Sequence, residues 1–185
     1  MDRNLFLLTG KGNGWMLLWF FLLLPLCYAG GVDAQEAKIP GTKVSFTFPD
    51  QWKYLKTTKV DGNTDIYLYC RTASVSADGD TSLPFLRIYV RKNYAPSVFE
   101  LAFERYSAQP YQSMTDYVKG LGLPKSGGLG YVGAYTNSKN GKDYQFRMVY
   151  FKEDSTAVEF RLETTRETYS QMEEEFDRIL ESIKF

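Results

Sequence analysis

The chain has 185 residues, 22 basic and 22 acidic side chains, two cysteines and no histidine. A net charge of zero gives neither the basic footprint of a nucleic-acid binder nor a long-range pull toward an anionic membrane surface. Without histidine the commonest general base and metal ligand are both missing, and two cysteines can build neither a disulfide framework nor a thiolate zinc site.

The first segment reads as a leader. Arg3 and Lys11 precede an apolar run over residues 15–26. That run is shorter than the ~20 apolar residues of a spanning helix and suits the hydrophobic region of a secretory signal. Cleavage after Ala29 would leave Cys27 and Ala29 as the small residues that such sites need, so residues 1–29 are assigned as a signal peptide; residues 32–34 offer a later site. Cys27 has a second reading as the lipidated residue of a bacterial lipoprotein, against which Leu26 stands where a small residue is wanted. The chain is therefore expected to be exported, periplasmic or secreted, with no membrane span in its mature form. Residues 30–42 are small and polar and read as a flexible linker, and residues 43–185 as one domain.

Within that domain Val44, Phe46 and Phe48 alternate with Ser45 and Thr47, a first strand ended by Pro49. Trp52 follows a turn and is expected to fold onto the core. Residues 60–63 carry turn chemistry and lead to a strand over 65–71, with Ile66, Leu68 and Cys70 on its core face. A strand over 85–92 turns Leu86, Ile88 and Val90 inward. Ser97 and Glu100 form a capping box that starts a helix reaching about Ser107. Pro110 is expected to open a second helix, ending near Gly120, with Met114, Tyr117 and Val118 as its apolar side. Residues 120–130 hold five glycines and read as a loop, followed by a strand. Asn140-Gly141 predicts a type I′ hairpin turn.

The last third organises the rest. Tyr144, Phe146, Met148 and Tyr150 alternate with Gln145 and Arg147, and Val158, Phe160 and Leu162 alternate with Glu159, Arg161 and Glu163. This period-two pattern predicts two strands with one core face each. A final helix, capped by Thr164 and Glu167, lines up Tyr169, Met172, Phe176, Ile179, Leu180 and Ile183. The element order makes the fold α+β, with a mainly antiparallel sheet of about six strands.

Motifs that imitate chemistry fail on detail. The run from Asp61 opens like a calcium loop but has Ile66 and Thr72 where glycine and glutamate are needed. Gly122 and Gly127 have phosphate-loop spacing, yet Gly128 and Leu129 follow. Tyr135 and Lys139 match a dehydrogenase pair but run into a hairpin rather than a helix. Cys70 reads as a small core residue. No catalytic residue, metal ligand or cofactor site is assigned. Glu159 and Glu163, on one strand face, are the pair that a carboxylate hydrolase would use; a solvated or covered ionic face explains them as well. The candidate binding residues are Tyr67, Tyr69, Arg71, Arg87, Tyr89, Arg91 and Arg147, which with Gln145 would share the sheet's other face. Tyrosine and arginine are favoured in interfaces.

Two pieces give the chain a resemblance to the PsbP-like family: residues 44–52, a strand ending in Pro49-x-x-Trp52, and residues 176–185, a helix ending in Ser182, Lys184 and Phe185. The resemblance implies an antiparallel sheet with helices packed on both faces, an α/β/α sandwich. It also implies a binding or assembly protein rather than an enzyme, here of the exported bacterial kind, with a protein partner at the cell envelope. A small-ligand carrier using the Tyr/Arg face is the alternative. No nucleic-acid partner is expected.

Overall fold

The computed structural model describes residues 34–108, 113–116 and 128–185. Its main sheet has seven antiparallel strands: β3 (Trp52–Lys59), β4 (Thr64–Arg71), β7 (Phe85–Arg91), β8 (Ser113–Asp116), β9 (Leu129–Thr136), β10 (Asp143–Glu153) and β11 (Thr156–Thr165). They lie side by side in the order β3-β4-β7-β11-β10-β9-β8. Two short hairpins, β1 (Ala34–Lys38) with β2 (Ser45–Pro49) and β5 (Ser74–Val75) with β6 (Thr81–Ser82), stand apart from it. The helices are α1 (Val98–Ala108) and α2 (Arg166–Glu181).

The longest strands, β10 and β11, pair over ten residues at the centre. Val149, Phe151, Val158, Phe160 and Leu162 join a cluster with Leu86, Ile88, β2 and the apolar stripe of α2. The intervening Phe146, Met148, Tyr150 and Ala157 join a second cluster with Tyr89, Tyr94 and α1 residues Leu101 and Ala102. Both sides of this strand pair are thus apolar. That corrects the expectation that Tyr144, Phe146, Met148 and Tyr150 share a face with Val158, Phe160 and Leu162, because the register sets Phe146 across from Glu163 and Tyr150 across from Glu159. Alternation cannot say which face is the core when both are.

The α2 stripe of Tyr169, Met172, Phe176, Ile179 and Leu180 is buried as expected. The chain after α2 is then stitched to β2. Ser45 and Lys184 exchange backbone hydrogen bonds of 3.0 and 2.8 Å, and the Ser182 hydroxyl accepts the Thr47 N–H at 2.8 Å. Trp52, fully buried, donates its indole N–H to Glu175 on α2 at 2.5 Å. Arg71 closes on the same carboxylate at 3.0 and 3.2 Å. A buried carboxylate is tolerated when donors saturate it in this way.

Several local expectations change. The Ser97–Glu100 capping box forms in both directions, at 2.7 and 3.2 Å. The one at Thr164 does not: β11 runs on to Thr165, which caps α2 without a side-chain bond, and the Thr164 hydroxyl instead meets those of Ser82 and Thr168. Where Pro110 suggested a helix, residues 113–116 are strand β8 on the free edge of β9; a local cap signal yields to a sheet edge offering a ladder of partners. Tyr117 and Val118 lie outside the described residues, as do the proposed leader and most of the glycine-rich stretch. The presumed linker contains β1, and Ile39 beyond it is buried. The Asn140-Gly141 hairpin forms with Gly141 left-handed at φ 69°, but Asn140 is not left-handed. Asn137 and Lys142 close a four-residue loop, bonded at 2.9 Å, rather than a two-residue type I′ turn.

Replacing Trp52 with Phe keeps the ring but strips Glu175 of its indole donor. Chemical denaturation should show a loss of about 2 kcal/mol; a loss below about 0.5 kcal/mol would mean that the buried carboxylate does not need that donor.

Candidate functional site

The eight residues expected on one face are divided by the register of β4 and β7, which sets Tyr67 opposite Ile88 and Tyr69 opposite Leu86. Tyr67, Tyr69, Arg71, Gln145 and Arg147 lie on the α2 side; Arg87, Tyr89 and Arg91 lie on the other. The corresponding reversal puts Ile66 with the second cluster. Four of the seven candidate residues therefore hold the protein together. Tyr67 and Tyr69 are buried core, and Tyr69 meets Phe46 edge-on with ring centroids 5.8 Å apart. Burial pushes both phenols up. Arg71 binds Glu175, and buried Arg147 donates to the Tyr169 hydroxyl at 2.7 Å and reaches Glu173 and Asp177 of α2.

The opposite face holds an ionic ladder. Arg87 of β7 lies directly across from Arg161 of β11, a like-charge pairing that would repel on its own. Glu163 lies between them, with its oxygens 3.4 Å from Arg87 and 2.7 Å from Arg161. The Arg161 guanidinium also lies over the rings of Phe146 and Tyr135, 4.7 and 5.3 Å from their centroids. One step along β11, Glu159 receives Arg105 from α1 at 2.8 and 3.4 Å, and Arg105 stacks over Tyr89 at 4.3 Å. Arg91 bonds Glu104 of α1 at 3.0 Å. Glu159 and Glu163 are buried. Burial alone would lower the Arg105 guanidinium, but the Glu159 charge and hydrogen bond overcome that and hold it above its ordinary value.

Both carboxylates are buried and held by arginines, Glu159 by Arg105 of α1 and Glu163 by Arg161, whereas a hydrolase pair needs its carboxylates open to substrate. Among the described residues no group of three acidic or thiol side chains is arranged around a metal position. Asp61 of the calcium-like run caps the Asn63 N–H at 2.7 Å. Cys70 is half-buried and burial pushes its thiol up, the opposite of a reactive cysteine.

A more open feature is the outer side of α1. Phe99, Phe103 and Tyr106, at helical spacing, are 67%, 63% and 44% exposed. Beside Phe99 lies a shallow cavity of about 490 Å³ lined by Val98, Leu129, Lys152 and Asp154 among others. Lys152 secures the chain before the helix, donating to the Pro96 carbonyl at 2.6 Å. The i, i+4, i+7 spacing of these aromatics is visible in the sequence, but spacing alone does not separate an exposed stripe from a buried one.

No protein-family model matches the chain, and no curated protein does either. Solved structures are similar over most of the chain, among them two bacterial proteins. LpqN from Mycobacterium tuberculosis, described as involved in cell envelope biogenesis, shares 13% identity at a TM-score of 0.51, covering 82% of this chain and 91% of its own. CyanoP, the cyanobacterial PsbP of Synechocystis, shares 11% identity at a TM-score of 0.51, covering 86% and 98%. The fold is PsbP-like. At these identities the likeness concerns architecture, and it matches the resemblance carried by residues 44–52 and 176–185.

Two outcomes follow for stability. Arg105→Met should cost about 3 kcal/mol in denaturant unfolding by leaving Glu159 buried without its cation, and adding Glu159→Met should recover most of it; strict additivity would contradict the pairing. Tyr94 and Tyr135 are both pushed up to about 12, chiefly by burial. Their unfolded counterparts release the proton near 10, so between those values the folded protein holds more protons. Stability should be intact below pH 10 and fall as pH rises toward 12. Tyr135→Phe should flatten that fall, read as the urea midpoint against pH.

Proposed function

We propose that the protein is exported and works by association at the cell envelope, without catalysis, through the outer face of α1. The observation that carries this reading is the exposure of Phe99 and Phe103, large aromatics of the type that anchors protein interfaces. Glu100 and Glu104 are exposed on the same helix, so the matching partner surface is apolar with a basic rim. In this reading α1 and α2 are the outer layers of a PsbP-like α/β/α sandwich, one layer serving the partner and the other closing the core.

Export rests on the leader pattern of residues 1–29, with lipidation at Cys27 as the alternative ending. The envelope setting draws on LpqN, whose description places that protein in envelope biogenesis. Among the described residues no helix is long and apolar enough to cross a membrane. A hydrolytic role finds no support in Glu159 and Glu163, since each is already committed to arginine.

The test is photo-crosslinking in the producing cell from a benzophenone amino acid placed at Phe103. A specific envelope protein should be captured, with capture at least tenfold lower in Phe99→Glu, whose thermal unfolding should be unchanged because the side chain is exposed. Intact mass of the mature protein should begin at Gly30. No specific adduct, or equal capture by Phe99→Glu, would overturn the reading, as would a small molecule retained in native mass spectrometry.

A further inference from the structure

Strand β3 ends the seven-strand order, and among the described residues it pairs only with β4. One edge of its backbone therefore faces away from the sheet. Every residue of β3 after Trp52 is exposed, so neither layer of the protein covers it on either side. Eight residues present about 26 Å of edge. A long uncovered edge is a template for a further strand unless something blocks it.

The side chains along this edge have a definite character. Lys53, Lys56 and Lys59 lie within the strand, which holds no acidic residue. A bulge between Tyr54 and Lys56 resets the register, so that Lys53 lies across from Cys70 and Lys56 across from Leu68, on one face, while Lys59 lies across from Asp65 on the other. Both faces of the edge thus carry positive charge. Tyr54 and Leu55, 54% and 51% exposed, add apolar contact area between the lysines.

Lysines and bulges on an edge discourage pairing with an identical edge, because two such strands would set lysine against lysine. The same charges favour a strand of opposite sign. We propose that β3 is a docking edge for an extended acidic segment of another protein, which adds to the sheet as an eighth strand. Backbone hydrogen bonds would supply the affinity and carboxylates beside Lys53, Lys56 and Lys59 the selectivity. This surface is separate from the α1 stripe and does not depend on it.

The test uses the isotope-labelled protein and a blocked eight-residue peptide in which glutamate alternates with threonine and valine, followed by backbone amide shifts. Saturable shifts should map to β3 and β4. Affinity should be at least tenfold higher than for the peptide with lysine in place of glutamate, and should fall at least tenfold when alternate backbone amides of the peptide are N-methylated. The triple variant K53E, K56E and K59E, changed only at exposed positions, should reverse the charge preference. Four results would each overturn the proposal: no shifts at β3, indifference to N-methylation, tighter binding of an oligothymidylate than of the acidic peptide, or concentration-dependent self-association through the same amides.

Discussion

The structure depends on a strand pair that is buried on both sides. β10 and β11 run antiparallel through the middle of the sheet, and their buried apolar side chains of each parity sit in one of two apolar clusters. Each fully buried Phe, Leu or Val contributes about 2 kcal/mol of burial, so the pair gains from two layers at once. The arrangement also imposes a condition. Any charged residue on these strands is removed from water and must find a counter-charge, since an isolated buried ion costs several kcal/mol. Arg147, Glu159, Arg161 and Glu163 are all buried, and each lies against an opposite charge within the protein.

The same condition bears on function. A carboxylate pair with an arginine between, on one strand, resembles the beginnings of an active site when read as residues. In three dimensions the groups serve one another: Glu159 anchors α1 through Arg105, and Glu163 relieves the repulsion between Arg87 and Arg161. On the α2 side Arg71 and Arg147 do comparable work against Glu175, Glu173 and Asp177. Among the described residues, the exposed groups on α1 and β3 are of another kind, aromatic on α1 and basic along β3.

The two stretches that resemble PsbP-like proteins are in contact. Ser45 and Thr47 of β2 bond Lys184 and Ser182, and Trp52 bonds Glu175 beside Phe176, whose ring centroid is 6.3 Å from its own. In this chain the resemblance is thus a packing relation between the start and end of the domain. Such local features were legible: the Ser97–Glu100 cap, the α2 stripe, the place of Trp52 and the hairpin before β10. Features decided by long-range pairing were not. β3 has lysine and threonine on both faces and shows no apolar alternation, so only its partner β4 makes it a strand. β8 depends on the edge of β9. The Tyr/Arg set is divided because Tyr67 and Tyr69, rather than Ile66 and Leu68, turn into the core with Phe46 and Phe48, where their rings bury more apolar surface.

The claim that the doubly buried pair is the last part to open is best tested by native-state hydrogen exchange. Amides of Val149, Phe151, Phe160 and Leu162 should exchange only through global unfolding, with a denaturant dependence equal to that of the whole protein, while those of Lys56 to Thr58 on β3 exchange through local opening. Exchange of the β10–β11 amides as fast as those of β3, or by a local route of their own, would contradict the account.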